Sequence, residues 1–166
     1  MAMPMTDIAS SGGFDPARMF AAMVRHGHSQ ALGLVYRGHG TDWAEIAMPW
    51  RADLVGNTDA QTVSNGAMIG LMDMAGGVAV WTQLNQFRPQ VTLDLRIDYV
   101  RAATPGATVT ARVECYRTTR EIAFVRGIAH DGNPTDPVAN MTALFMFTGP
   151  PMTFARNAPM PVGGGA

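Results

Sequence analysis

Hydrophobic and polar residues follow different patterns in the two halves of this chain. From Asn65 to about Gln83 almost every position is apolar or glycine, and only Asp73 is ionisable. A segment of that length that is apolar on every side predicts a long helix buried on every side. Gly76 and Gly77 should each cost roughly 1 kcal/mol of helix stability relative to alanine. We therefore expect another backbone or a bound ligand to approach the helix closely at these two glycines.

The second half alternates between apolar and polar residues, as half-buried antiparallel strands do. In residues 91–99 the positions predicted to face the core are Val91, Leu93, Leu95, Ile97 and Tyr99. The positions predicted to face solvent are Thr92, Asp94, Arg96 and Asp98. We expect the three charged residues to form a cross-strand salt-bridge ladder.

The same alternation continues after residue 99. Residues 107–117, 121–130 and 138–147 predict a three-strand meander, with turns at residues 104–106 and 131–134. The positions of 107–117 predicted to face the core are Val109, Ala111, Val113 and Cys115.

Shorter elements are predicted before the long helix. Asp15 and Pro16 predict a helix start, as N-cap and first helical residue, with the helix running to about Arg25. Residues 32–36 and 43–49 predict two short strands around a turn at 37–40, and residues 51–64 predict an irregular loop. These elements predict an α+β fold in which a curled antiparallel sheet wraps around one long central helix.

Length and composition indicate a single domain over residues 15–149, with a flexible N-terminus (1–14) and a flexible Pro/Gly-rich tail (150–166). The net charge of −1 gives no reason to expect nucleic acid or an anionic membrane as partner. Only 15% of residues are charged, which suggests that another subunit covers part of the surface. We find no signal peptide and no apolar run of the ~18 residues that a membrane span needs.

The number and spacing of the cysteine and histidine residues argue against a disulfide and against a metal site. One cysteine, Cys115, excludes an intrachain disulfide and fits a cytoplasmic protein, and we interpret it as a core thiol. The four histidines lack metal-ligand spacing, so no metal is predicted.

Asp73 stands out, because taking a carboxylate out of water costs several kcal/mol unless it is paired or protonated. It is either a catalytic acid or an acid held by local hydrogen bonds at a subunit seam.

Several stretches together resemble the PaaI-type acyl-CoA thioesterases of the 4HBT type, which have the hotdog fold. They are Gly70–Gly77, Thr92–Ala102, Pro105-Gly106 and Arg120–Phe124, in family order within residues 20–147. The resemblance implies a homodimer or homotetramer with its site at the subunit interface. It also implies hydrolysis of a small-molecule acyl-CoA without a metal or separate cofactor, since coenzyme A is part of the substrate. One departure is that Ser64-Asn65-Gly66 stands where the family usually has His-Gly-Gly.

Thioester hydrolysis needs a stabilised oxyanion and an activated attacking group, and the helix carries candidates for both. Unpaired amides of Asn65 and Gly66 at the helix N-terminus could polarise the carbonyl. Asp73 could act as general base or as nucleophile.

Most of the remaining site residues follow from the resemblance. It gives Thr92 the role of orienting the attacking water, against the alternative of an ordinary strand threonine. It places Ser64 at the substrate. Arg101 and Arg120 would meet the phosphates of coenzyme A, unless they are simply solvated arginines at strand ends. Apart from the resemblance, Asn57 lies in the loop before the helix, where it either lines the site or is a turn residue.

Two other functions stay open on this sequence. One is a non-catalytic acyl-CoA binder, in which the replacement of the family's His-Gly by Ser64-Asn65 accompanies a loss of activity. The other is a hotdog hydratase or dehydratase, which usually needs a histidine near the helix, and no histidine lies between Ala44 and Ala129.

Overall fold

The computed structural model describes residues 14–152. The helices are α1 (Pro16–Met23), α2 (Gly27–Leu32) and α3 (Asn65–Leu84). The strands are β1 (Val35–His39), β2 (Trp43–Met48), β3 (Val55–Asn57), β4 (Thr62–Val63), β5 (Gln90–Tyr99), β6 (Val109–Thr118), β7 (Ile122–His130) and β8 (Ala139–Phe147). Most of the N-terminus and tail predicted to be flexible lies outside the described residues. Within the described part of that tail, the Met152 amide donates to the Phe87 carbonyl at 2.9 Å.

Six strands form one antiparallel sheet in the order β1-β2-β6-β7-β8-β5. The predicted meander is β6-β7-β8, while β5 pairs with β8 and ends the sheet on one side. The sheet packs against α3, mainly through β2, β6 and β7. The predicted arrangement of a curled antiparallel sheet around one long helix is therefore confirmed.

Helix α3 begins and ends close to its predicted limits, for identifiable reasons. The Ser64 hydroxyl caps the start by accepting from the Ala67 amide at 3.2 Å. Asn85 ends the helix in the left-handed conformation, with φ of 49°. At Gly76 a Cβ atom would lie 3.0 Å from the Phe145 ring, so the sheet approaches the helix closely there, but through a side chain and not through the backbone or ligand that was predicted.

By length and composition α3 could cross a membrane, but 61% of its apolar window is buried inside the domain. Leu71, Met72, Ala75, Val78, Ala79 and Val80 are fully buried in the core cluster. The helix is thus the core helix of a globular domain, and its apolar character is explained by the sheet around it.

The segment between α1 and β2 differs from prediction. The N-cap role of Asp15 is confirmed, since its side chain accepts from the Arg18 amide at 3.1 Å. However, residues 27–32 form α2, and the strand predicted at 32–36 begins only at Val35. Gly33, with φ of 64°, ends α2 in the left-handed conformation and separates the two elements. The turn predicted at residues 37–40 was also wrong, since Arg37 to His39 belong to β1.

Residues 51–64 are more regular than the predicted loop. They contain a short 3-10 helix (Ala52–Leu54) followed by the hairpin β3-β4. A Cβ atom at Gly56 would lie 2.8 Å from the Cα atom of Ser64, so the hairpin packs directly against the start of α3. The amide of Ser64 donates to the carbonyl of Leu54 at 2.8 Å and ties the two together.

The predicted inward face of β6 is confirmed. Val109, Ala111, Val113 and Cys115 have no exposed surface. Burial raises the pKa of the Cys115 thiol to about 11, which keeps it protonated and makes it a core residue rather than a nucleophile.

Candidate functional site

The candidate site is built where α3 faces the edge strand β5. The hydroxyl of Thr92 donates to Oδ1 of Asp73 at 2.7 Å. Asp73 is half-buried, and Oδ2 has no hydrogen-bond partner among residues 14–152. The structure thus brings together two of the predicted catalytic residues, which are 19 positions apart in sequence.

A β-bulge at Leu93 aims Thr92 at the helix. Thr92 pairs with Phe145 and Asp94 pairs with Leu144, so Leu93 is an extra residue in β5. Phe145 is buried, and Thr92, directly across from it, therefore shares the inner face of the sheet. Thr92 therefore does not share the face of Asp94 as predicted, because strict alternation does not allow for the extra residue, although Thr92 is exposed at the open edge of β5 as predicted.

The bulge also explains two exposed apolar residues. Val91 and Leu93 were predicted to face the core, but their side chains are 46% and 50% exposed. Leu95 and Ile97, which follow the bulge, pack against the core as predicted.

Two further polar side chains on the inner face of β5 reach α3. Nε2 of Gln90 donates to the carbonyl of Gly77 at 2.9 Å, and the hydroxyl of Tyr99 donates to the carbonyl of Asn65 at 3.1 Å. Together with Thr92, these residues connect β5 to α3 at three points along the helix. Sequence reasoning missed both contacts. The only available signal was that Gln90 and the hydroxyl of Tyr99 need partners when they lie against a core.

The start of α3 presents backbone amides to solvent. Ser64 supplies acceptors for two of the first amides, its hydroxyl for Ala67 and its carbonyl for Met68. The amides of Asn65 and Gly66 have no acceptor in the described part of the chain, and both residues are exposed. Two donors at the positive end of the helix dipole are therefore free to bind an anionic oxygen.

Asn57 lies at the end of β3 with its side chain turned back on its own backbone. Its Oδ1 atom accepts from the amides of Asp59 and Ala60 at 3.0 and 2.9 Å. This contact is the turn geometry that was the alternative interpretation, and a role for Asn57 in substrate binding stays a prediction.

Arg101 is engaged within the chain. Its guanidinium makes two hydrogen bonds to the carboxylate of Asp131, at 2.6 and 2.9 Å, and an ion pair with Asp136. The same carboxylate of Asp131 accepts from the amide of Thr104 at 2.7 Å. Arg101 therefore joins the segment after β5 to the turn between β7 and β8 at one end of the sheet, which is a structural role.

Arg120 lies in the turn between β6 and β7 and is exposed. It lines an open cavity of about 310 Å3 together with Arg88, near the end of β8. The guanidinium of Arg88 is held in place by its Nε hydrogen bond to the Gly149 carbonyl (3.0 Å) and by the Phe147 ring 4.1 Å below it. A larger open groove of about 430 Å3, at Trp43 and Arg112, includes none of the predicted site residues.

The charged residues on the outer face of β5 do not form the predicted cross-strand ladder. Arg96 pairs with Asp98 along the same strand, at 3.0 Å. Their neighbours across the ladder on β8 are Thr142 and Asn140, which carry no charge. Among residues 14–152 no group of three or more His, Cys, Asp or Glu side chains is arranged to hold a metal ion.

The sequence model of the thioesterase superfamily matches residues 60–138. A protein from Pseudomonas aeruginosa of known crystal structure is 35% identical, covering 79% of this chain and 96% of its own, with a TM-score of 0.70. A mutant of the phenylacetic acid degradation protein PaaI from Thermus thermophilus is 29% identical, and the match covers 71% of this chain and 96% of the mutant's chain, with a TM-score of 0.62. PaaI from the phenylacetic acid degradation operon of E. coli shares the fold at 21% identity. The match covers 83% of this chain and 97% of the E. coli chain, with a TM-score of 0.70. No curated protein matches this chain in sequence.

Proposed function

Because this chain belongs to the thioesterase superfamily and has a PaaI-like hotdog fold, we propose that it hydrolyses acyl-CoA thioesters to a free acid and coenzyme A. The observation that carries the proposal is the 2.7 Å hydrogen bond from Thr92 to Asp73. It supports a catalytic role because it fixes one carboxylate oxygen and leaves the other open.

In the proposed reaction, Asp73 takes a proton from a water molecule as that water attacks the thioester carbon. The carbonyl oxygen becomes an oxyanion, which the amides of Asn65 and Gly66 stabilise. The carbon–sulfur bond then breaks, and the coenzyme A thiolate leaves with the proton returned by Asp73. Direct attack by the carboxylate, through a mixed anhydride that water hydrolyses, uses the same residues.

The proposed site requires a second copy of the chain. Asn65 and Asp73 are eight residues apart on one helix, which separates them by about 12 Å along its axis. One thioester carbonyl cannot contact both on the same chain. We propose that the helix start of one subunit faces Asp73 of its partner in a homo-oligomer. The exposure of Ile69 (45%), on the surface of α3 between the two positions, supports this arrangement.

We propose that Arg120, with Arg88, binds the phosphates of coenzyme A. Two arginines around one open cavity favour bidentate hydrogen bonds to phosphate. Arg101 is left out of this proposal, because Asp131 and Asp136 already pair with its guanidinium. Apparent KM should rise with salt concentration in the wild type, and should rise in Arg120→Ala with kcat retained.

The experiment that tests the proposed reaction offers a panel of acyl-CoAs and measures release of free thiol. Asp73→Asn should lower kcat at least ~100-fold, the usual scale for a general base. Asp94→Asn is the matched control, since Asp94 is an exposed carboxylate on the outer face of β5. Wild-type turnover by Asp73→Asn would refute the assignment.

A non-catalytic acyl-CoA binder is the second candidate function. The observation that favours it is Ser64, whose hydroxyl caps α3 where the family usually carries a histidine. Thermal stabilisation by acyl-CoA without thiol release would support the binder. Thiol release that depends on Asp73 would exclude it.

A further inference from the structure

The hydroxyl of Tyr99 reaches the same peptide unit that carries one of the two free amides. It donates to the carbonyl oxygen of Asn65 at 3.1 Å. That carbonyl and the amide N–H of Gly66 belong to one peptide group, which is planar and moves as a unit. Tyr99 therefore contacts the peptide on the side opposite the amide.

We propose that Tyr99 is a positioning residue for the oxyanion site, acting through the Asn65–Gly66 peptide. This inference rests on the proposed function. A hydrogen bond accepted by the carbonyl polarises the peptide and makes its N–H a stronger donor. The same bond fixes the direction of the N–H, which otherwise lies in the first, exposed turn of a helix where chain ends fray.

The direction of this hydrogen bond is unambiguous. A backbone carbonyl has no proton to give, so the phenol must be the donor. Burial of the ring raises the pKa of Tyr99 above its ordinary value, so the phenol keeps its proton over the pH range in which a thioesterase can be assayed.

Strand β5 thereby holds both halves of the proposed chemistry. Near the beginning of β5, Thr92 orients the carboxylate of Asp73. At the end of β5, Tyr99 orients the start of α3. The bulge at Leu93 keeps Thr92 on the same face as Tyr99 although their sequence numbers differ by an odd number. One strand thus sets the position of the base and of the oxyanion donor relative to the sheet.

Tyr99→Phe tests the inference, since it removes the hydroxyl and keeps the ring. We expect kcat for the best acyl-CoA of the panel to fall about fivefold to tenfold, with KM within twofold, because the Gly66 N–H becomes a weaker and less well-oriented donor to the oxyanion. Tyr116→Phe is the matched control. Tyr116 is 49% exposed on β6, and its hydroxyl has no hydrogen bond within the described residues.

A second measurement does not depend on turnover. In 1H–15N spectra the Gly66 amide proton should move upfield in Tyr99→Phe and stay in place in Tyr116→Phe, because only the first change removes the hydrogen bond to its peptide. Wild-type kcat in Tyr99→Phe, or an unmoved Gly66 amide, would overturn the inference while leaving the proposed function intact. A wild type that releases no thiol from any acyl-CoA would remove the proposed function, and the inference with it.

Discussion

Thr92→Val tests the part of the site that the β-bulge creates. The change removes the hydroxyl that donates to Asp73 at 2.7 Å and keeps the shape of the side chain. Hydrogen bonds to a charged group contribute about 1.5–3 kcal/mol, and the lower end applies because Thr92 is exposed in the isolated chain. The bond also stabilises the carboxylate before reaction, so only its orientation of Asp73 affects kcat, and the loss should be at most the roughly tenfold that about 1.5 kcal/mol corresponds to. The thiol-release assay measures it directly, and Thr142→Val, on the outer face of β8, is the control.

A double-mutant cycle separates orientation of the base from an independent effect. If Thr92 acts through Asp73, adding Thr92→Val to Asp73→Asn should cost less than about twofold, because the group it orients is already gone. An equal tenfold loss in both backgrounds would show that Thr92 acts independently of Asp73. Full activity of the single variant Thr92→Val would show that the contact does not contribute to turnover.

Two further predictions concern stability and are measured by thermal denaturation. Gly76→Ala should not gain the roughly 1 kcal/mol of helix stability that alanine has over glycine, because its Cβ would meet the buried Phe145 ring at 3.0 Å. Gly66→Ala, with nothing within 4 Å, meets no such contact, so its Tm should lie at least about 3 °C above that of Gly76→Ala; equal Tm values for the two variants would contradict the tight contact. Asp131→Asn should lower Tm by roughly 3–8 °C at pH 7, because Arg101 loses its carboxylate partner. The Arg101 guanidinium holds the pKa of Asp131 well below its usual range, so this difference should be complete above about pH 4 and shrink as pH falls further. A difference that did not change down to pH 2 would show that the ionised carboxylate is not its source.

Elements with a strong and uninterrupted pattern could be predicted from the sequence. The start of α3 at Asn65 follows from an N-capping serine before a long apolar run, and its burial follows from the lack of a polar face. The inward positions of β6 follow from alternation, because no bulge interrupts the pattern before Cys115. Asp73 could be singled out because it is the one charge in the core helix.

Features that depend on contacts between distant residues could not be predicted. The extra residue at Leu93 is invisible in β5 itself, since it is defined by the pairing with Phe145 and Leu144 on β8. The partner of Tyr99 is a backbone carbonyl 34 residues earlier. Every residue has a backbone carbonyl, so the sequence does not indicate which one accepts the hydrogen bond. Helix α2 was missed because its six residues are too few to establish a period, although Gly33 marks its end.

Strand β5 is bonded to β8 on one side, while its other edge has no partner strand within residues 14–152. An edge strand separates from its sheet more readily than an inner one, so its amides should exchange with solvent sooner than those of β7. Since the same strand orients Asp73 and the start of α3, any chain that pairs with this edge would slow that opening. Association and substrate binding would then be linked: association would tighten substrate binding, and substrate would tighten the assembly by the same factor.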